Sequence, residues 1–210
     1  MHLEVKTIQG LGRNFHFVLD SEVDHIQSVL RTGEFYELEE LELIAEIAGE
    51  PKRILDVGSN IGNHSIFFAH RFDADLVVPV EPNRRVLPLL RANLGLNWHP
   101  SYDLSLVGYG LSDRDGFGVS KVSTEANLGG AKLVIDTVGD VQVTSGDIAF
   151  PSITFDLIKI DVEGMENLVI QGMNDLLRRS NATVFVEVLL SNIDLTIHQM
   201  RSHGYRYLTS

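Results

Sequence analysis

The chain contains no cysteine, which removes disulfides, thiolate metal sites and thiol nucleophiles from consideration. It is also short of basic charge. Against 29 Asp and Glu stand 17 Lys and Arg, a formal net charge of -12, so the composition offers no basic face for nucleic acid or an anionic membrane. No run approaches the roughly 18 apolar residues of a membrane span, and Met1-His2-Leu3-Glu4-Val5-Lys6 lacks the apolar core of a signal peptide. These absences predict a cytoplasmic protein with a small or neutral substrate. What is present, 44% hydrophobic residues in a length of 210, suffices for one α/β domain over residues 1–210.

Within it, residues 1–50 read as an N-terminal hairpin and helix, and residues 51–210 as a cofactor-binding core with an insertion at about 117–150. Residues 3–8 and 14–19 alternate around Gly10-Leu11-Gly12, which predicts a hairpin acting as a lid or flank. Leu38, Leu41, Ile44, Ala45 and Ala48 recur at helical spacing until Gly49 and Pro51 stop the helix. Strands are predicted over residues 54–57, 76–80 and 104–109, with a helix carrying Val86, Leu89, Leu90 and Leu94 between the last two. Strands alternating with helices predict a mostly parallel sheet flanked by helices. In the insertion, residues 132–135 and 141–144 flank Thr137-Val138-Gly139-Asp140 as a second hairpin. Then come a strand over 155–160, one helix carrying Met165, Leu168, Val169, Gly172 and Leu176, and a strand over 183–190. A helix with Ile193, Ile197 and Met200 and a closing strand over 205–208 complete the pattern.

The run Ile54-Leu55-Asp56-Val57-Gly58-Ser59-Asn60-Ile61-Gly62-Asn63-His64-Ser65 reads as a buried strand, a glycine turn and a helix, the form of a nucleotide-cofactor loop. Free N–H groups opening the helix would offer donors to an anionic group. The third glycine of G-x-G-x-x-G is missing. Asp56 would repel a pyrophosphate and suits a cofactor with a cationic ammonium or sulfonium, such as S-adenosylmethionine. Glu81 ends the second strand about twenty residues beyond Gly62, where an acid accepts hydrogen bonds from ribose hydroxyls. Asp113 follows the third strand, either as acceptor for an adenine amino group or as an Asx turn into Arg114-Asp115-Gly116.

Asp161 and Glu163 arrive where the strand of Leu157, Ile158 and Ile160 leaves the sheet, at the ligand edge. A partly desolvated Glu163 is a candidate base for a substrate hydroxyl, and its alternative role is to complement a helix dipole. Lys159 is read as a structural partner of one of these acids rather than as a catalytic group. His64 opens the helix after the loop and is the alternative base. The other histidines show no metal-ligand spacing, so no metal is expected. Asn127-Leu128-Gly129-Gly130 is either a turn or a binding loop, and Phe35-Tyr36-Glu37 either folds over the cofactor or anchors the first long helix.

Gly33 through Glu37, Asp56 to Ser65, Glu81-Pro82, Gly110 to Asp113, Asn127 to Gly130 and Asp156 to Glu166 together resemble the FkbM-type family of S-adenosylmethionine-dependent methyltransferases, over about residues 33–187. The resemblance implies a class I, Rossmann-like methyltransferase fold and O-methylation of hydroxyls on sugars, glycans or polyketide-like natural products. It implies Asp56, Gly58, Asn60 and Gly62 as the cofactor loop, Glu81 as the ribose contact and Asp113 as the adenine contact. Glu37, Ser112 and Asp161 are counted with the cofactor contacts, and Asp161 and Glu163 line the methyl-transfer site. Only residues 205–208 are offered for the strands that usually close such a sheet, which leaves an edge for a second copy of the chain. The rival readings are an NAD-dependent oxidoreductase, which Glu81 would serve equally well, and a cofactor-binding protein that acts through its surface.

Overall fold

A computed structural model describes residues 3–121 and 131–206. The N-terminal part holds β1 (Glu4–Gly10), β2 (Arg13–Leu19), α1 (His25–Thr32) and α2 (Leu38–Ala48). Then come β3 (Arg53–Val57), α3 (Asn63–Phe72), β4 (Leu76–Val80) and α4 (Leu87–Leu96). Four short strands follow, β5 (Tyr109–Leu111), β6 (Gly116–Lys121), β7 (Lys132–Ile135) and β8 (Val141–Thr144), and then α5 (Gly146–Ala149). The last part comprises β9 (Leu157–Ile160), α6 (Glu166–Gln171), α7 (Asn174–Ser180), β10 (Thr183–Val186) and α8 (Ile193–Ser202).

A parallel sheet in the order β10-β9-β3-β4 forms the centre. Its middle strands are apolar runs because both faces are covered. Ile54, Val77 and Leu157 pack with β2, α2, α3 and α4 on one face, while Leu55, Val78, Ile158 and Ile160 pack with α6, α7 and Met200 on the other. Each such side chain contributes about 1.5–3 kcal/mol of burial free energy. Asp56 and Lys159 are partners in the register of β3 and β9, so two opposite charges stand side by side in this apolar layer.

The N-terminal hairpin is a flank. Phe15 and Phe17 are buried in the core, and β2 is tied to α4 and to the residue that ends it by two side-chain bonds. Asn93 Oδ1 accepts from the Val18 amide at 2.7 Å, and Asn97 Oδ1 accepts from the His16 amide at 2.8 Å.

Several elements differ from the sequence expectation. Residues 104–109 do not form the third strand. The chain forms isolated bridges instead, Tyr102 to Val77 of β4 and Val107 to Glu81 just after it, Gly108 turns it at φ 108, and β5 starts at Tyr109. The insertion does carry strands at Lys132–Ile135 and Val141–Thr144, but they do not pair with each other. β6 lies between them in the sheet β5-β8-β6-β7, and the hairpin is made by β6 and β7. The helix expected to run from Met165 to Leu176 is broken at Gly172 into α6 and α7, where a Cβ would sit 1.9 Å from the Ser112 carbonyl oxygen. β10 stops at Val186, four residues before the expected 190. Tyr205 and Arg206 are not in a strand, and the rest of the expected closing strand lies outside the described residues. Asn127 to Gly130 also lie outside them. No helix among the described residues is long and apolar enough to cross a membrane.

Candidate functional site

The parallel strands β3, β4 and β9 deliver Gly58, Glu81 and Asp161 to one edge of the sheet, around a cavity of about 290 Å³. Its wall also includes Leu111 on β5, Leu133 of the insertion, His25 of α1, Tyr36, Glu163 and Glu187. This is the carboxyl edge, where open α/β sheets collect ligands.

The loop after β3 is closed on itself. The Gly58 and Ser59 amides donate to the Val80 carbonyl at 2.9 and 3.0 Å, and Gly62 donates to the Ser59 carbonyl at 2.8 Å. Asn60 donates to Glu81 Oε2 at 2.8 Å, from a backbone turned to φ 49. These four loop amides are therefore spent within the protein. Glu81, 7% exposed, accepts a second amide bond from Asn83 at 2.7 Å.

Burial pushes the Glu81 carboxyl up to about 7, against the opposing pull of the Asn83 and Asn60 amides and of Lys159. The folded pKa is raised, so its contribution to stability is full below about pH 4.5 and is lost as pH rises through about 7. The shift corresponds to about 3 kcal/mol. As the acceptor expected for ribose hydroxyls, the ionised carboxylate is the stronger form. A nucleoside ligand is thus expected to bind more tightly at pH 8 than at pH 6 and to raise the melting temperature more at pH 8. Equal shifts at both pH values, in a thermal melt with and without ligand, would contradict this role for Glu81.

Beneath the loop, Lys159 is 1% exposed and donates to the Gly58 carbonyl at 2.9 Å and to Asp161 Oδ2 at 3.2 Å. Its ammonium is also 3.6 Å from Asp56 Oδ1. Burial alone would lower its pKa, but the Asp161 and Asp56 carboxylates outweigh it and raise it. Lys159 is thus a structural partner of Asp161, as the sequence suggested, and also of Asp56, while no contact with Glu163 is formed among the described residues. Asp56 is fully buried, takes a 2.5 Å bond from the Ser65 hydroxyl and does not line the cavity.

Asp161 and Glu163 do line it. Glu163 sits at φ 51, and burial followed by the Asp161 charge raises its pKa, while Lys132 opposes. Glu166 holds this turn, accepting from the Gly164 amide at 2.6 Å and from Asn192 Nδ2 at 2.9 Å. His64 does not line the cavity. It is 7% exposed, stacked on Phe68 at 6.0 Å, with Nε2 3.4 Å from Glu37 Oε2. Burial would raise the Glu37 pKa, but His64 and Tyr36 act against it and the net direction is down. Glu37 caps α2 from φ 56 and stands behind Tyr36, which reaches the cavity. Asp113 faces Arg114 at 2.7 Å, the chief cause of its lowered pKa, and Ser112 is buried beside it; neither lines the cavity, where Gly110 and Leu111 stand instead. Gly62 packs on Leu90 rather than on the cavity.

Glu187 was missed by the sequence reading. Exposed as a residue, it has a carboxyl partly buried in the site, pushed up to about 7 by burial and then by Asp161 and Glu37. It follows β10 as Glu81 follows β4 and Asp161 follows β9, an acid directly after a largely apolar strand, and that repetition was the available signal. His25 and Ile26 were missed with α1, whose start is marked by Asp24 accepting from the Gln27 amide at 3.0 Å.

Residues 56–207 match the Methyltransferase FkbM domain. The chain is 33% identical over 160 residues to the hexuronic acid methyltransferase AglP of Haloferax volcanii, covering 70% of this chain and 60% of that protein. It is 25% identical over 203 residues to the AMB antimetabolite synthetase AmbE of Pseudomonas aeruginosa, covering 72% of this chain and 9% of that protein. The chain thus spans less than two thirds of either relative. Among solved structures, methyltransferase FkbM from Methylobacillus flagellatus superposes with a TM-score of 0.52 at 18% identity, over 72% of this chain and 37% of that one. The precorrin-6y C5,15-methyltransferase of Geobacter metallireducens gives 0.52 at 14% identity, over 82% and 75%. Both share the class I methyltransferase fold.

Proposed function

The chain belongs to the FkbM methyltransferase family, and from that premise we propose that it is an S-adenosylmethionine-dependent O-methyltransferase acting on a hydroxyl of a sugar or glycan. One observation carries the choice of cofactor. The Gly58, Ser59, Asn60 and Gly62 amides are committed within the protein, and carboxylates of Glu81, Asp161, Glu163 and Glu187 surround the cavity. Such a site repels the pyrophosphate of a dinucleotide and suits a cation. That argues against the oxidoreductase. The sugar acceptor is supported by the hexuronic acid methyltransferase among the relatives.

S-adenosylmethionine, when bound, supplies an electrophilic methyl group on a sulfonium. Glu81 would hold the ribose hydroxyls, Gly58 and Asn60 would give the backbone close approach, and Leu111 and Leu133 would offer apolar walls. Positioning donor and acceptor for in-line transfer is the enzyme's main contribution, worth several kcal/mol. Glu163, whose raised pKa keeps it a competent proton acceptor, takes the proton of the acceptor hydroxyl.

Incubation with methyl-labelled S-adenosylmethionine and hexuronate glycosides tests this reading. Label in a base-stable methyl ether is expected, and Glu163→Gln should lower kcat about 100-fold. A base-labile methyl ester would contradict a hydroxyl acceptor. Activity of the variant within about threefold of wild type would remove Glu163 from the proton-accepting role.

A further inference from the structure

Glu37 and Glu40 lie one turn apart at the start of α2, and His64 is in the first turn of α3. The fold brings one ligand atom of each within 4.8 Å of the other two. His64 is 7% exposed, and its Nε2 is fully buried without an aligned hydrogen bond. That nitrogen points at Glu37, with Oε2 3.4 Å away, and the stacked Phe68 ring fixes its plane. Glu40 Oε1 is likewise buried and accepts no hydrogen bond.

A simple ion pair between His64 and Glu37 leaves the Glu40 oxygen without a donor. Buried polar atoms of this kind cost about 1–3 kcal/mol each, so their convergence calls for a shared positive partner. One imidazole nitrogen and two carboxylate oxygens form a donor set for a borderline divalent cation. Donors about 2.1 Å from one ion lie roughly 3.0–3.4 Å apart at tetrahedral or octahedral angles. The His64–Glu37 separation of 3.4 Å is already there, and the wider contacts need only a side-chain adjustment of Glu40, which is not fully buried.

We propose that Glu37, Glu40 and His64 form a binding site for a divalent transition cation, Mn²⁺ or Zn²⁺, beside the cavity behind Tyr36. Three protein ligands leave further coordination positions for water or another oxygen ligand. The cation would offset part of the negative charge that Glu37, Glu40, Asp161 and Glu187 place on this side of the molecule. The spacing of residues 37, 40 and 64 carries no metal motif, so the site exists only through the packing of α2 on α3.

The test is a titration of chelator-treated full-length protein with MnCl₂ and with ZnCl₂, followed by calorimetry and, for Mn²⁺, by loss of the free-ion electron paramagnetic resonance signal. Saturable one-to-one binding is expected, weakened at least tenfold by Glu40→Gln and abolished by His64→Gln. Glu22→Gln, far along the chain and exposed, should bind as wild type does. Thermal melts establish that each variant is folded, and Glu40→Gln decides alone if the His64 variant does not fold. No saturable binding by the folded wild type, or binding unchanged in Glu40→Gln, overturns the site. Neither result depends on methyl transfer, because no nucleoside and no acceptor is present in the titration.

Discussion

Replacing Lys159 with methionine is expected to lower the free energy of unfolding by about 3–5 kcal/mol. The ammonium is 1% exposed and lies 3.6 Å from Asp56, which is fully buried. Without it, Asp56 keeps one hydroxyl bond from Ser65 and an uncompensated charge in an apolar layer. Asp161 suffers less, since its side chain is 29% exposed and can hydrate. Adding Asp56→Asn to the same chain removes the stranded charge and should return about 1–3 kcal/mol of the loss. The single variant should also bind nucleoside ligands poorly, because the bond from Lys159 to the Gly58 carbonyl ties the loop to β9. Urea denaturation of wild type, single and double variants measures the cycle. A single variant within about 1 kcal/mol of wild type would show that the buried pair is dispensable.

The second large effect is expected at Gly58. Its φ is 83, a conformation that L side chains rarely adopt, and an added Cβ would sit 1.7 Å from the Asp161 carbonyl oxygen. That neighbour is backbone and cannot rotate away. Gly58→Ala is therefore expected to cost about 2–5 kcal/mol through strain and forced separation of β3 and β9. Gly62→Ala makes the comparison informative. The backbone there is also turned, at φ 92, but the nearest atom to the new Cβ is Leu90 Cδ1 at 3.0 Å, the end of a flexible side chain. Its cost should stay near 1–2 kcal/mol. Equal destabilisation of the two variants in thermal or urea melts would contradict the close approach of the two strand ends as the reason for glycine at 58.

The parts of this fold that were legible in the sequence are those whose signal is local. β3, β4 and β9 are short apolar runs ended by a glycine turn or an acid, and the hairpin of β1 and β2 is an alternation around a tight turn. Pairing is not local. Thr137-Val138-Gly139-Asp140 has the composition of a hairpin turn, yet Gly139 lies against the Gly118 backbone and β6 separates the two flanking strands. The apolar run at 104–109 contains Leu104, Leu106 and Val107, but Gly108 turns the backbone out of the strand. Helix α1 escaped notice because its apolar residues are few, while its position is set by Gln27, fully buried and accepting from the Asp20 and Ser21 amides.

The candidate site divides the same way. Gly58, Asn60, Glu81, Asp161 and Glu163 were legible as strand-end residues and meet at the cavity. Asp56 and His64 sit in the same motif, but the periodicity of strand and helix turns them inward, toward Lys159 and Glu37. What a sequence run cannot reveal is which neighbour takes up each donor. The amides of Gly58, Ser59 and Asn60 are an example, since their acceptors, the Val80 carbonyl and the Glu81 carboxyl, come from the end of a different strand.

The most direct test of the central claim is a calorimetric titration with S-adenosylhomocysteine, on the wild type and on Glu81→Ala. Micromolar binding by the wild type, weakened at least about tenfold in the variant, or about 1.4 kcal/mol, is the predicted result. Folded wild type that shows no binding, or a variant that binds equally well, would contradict the cofactor assignment.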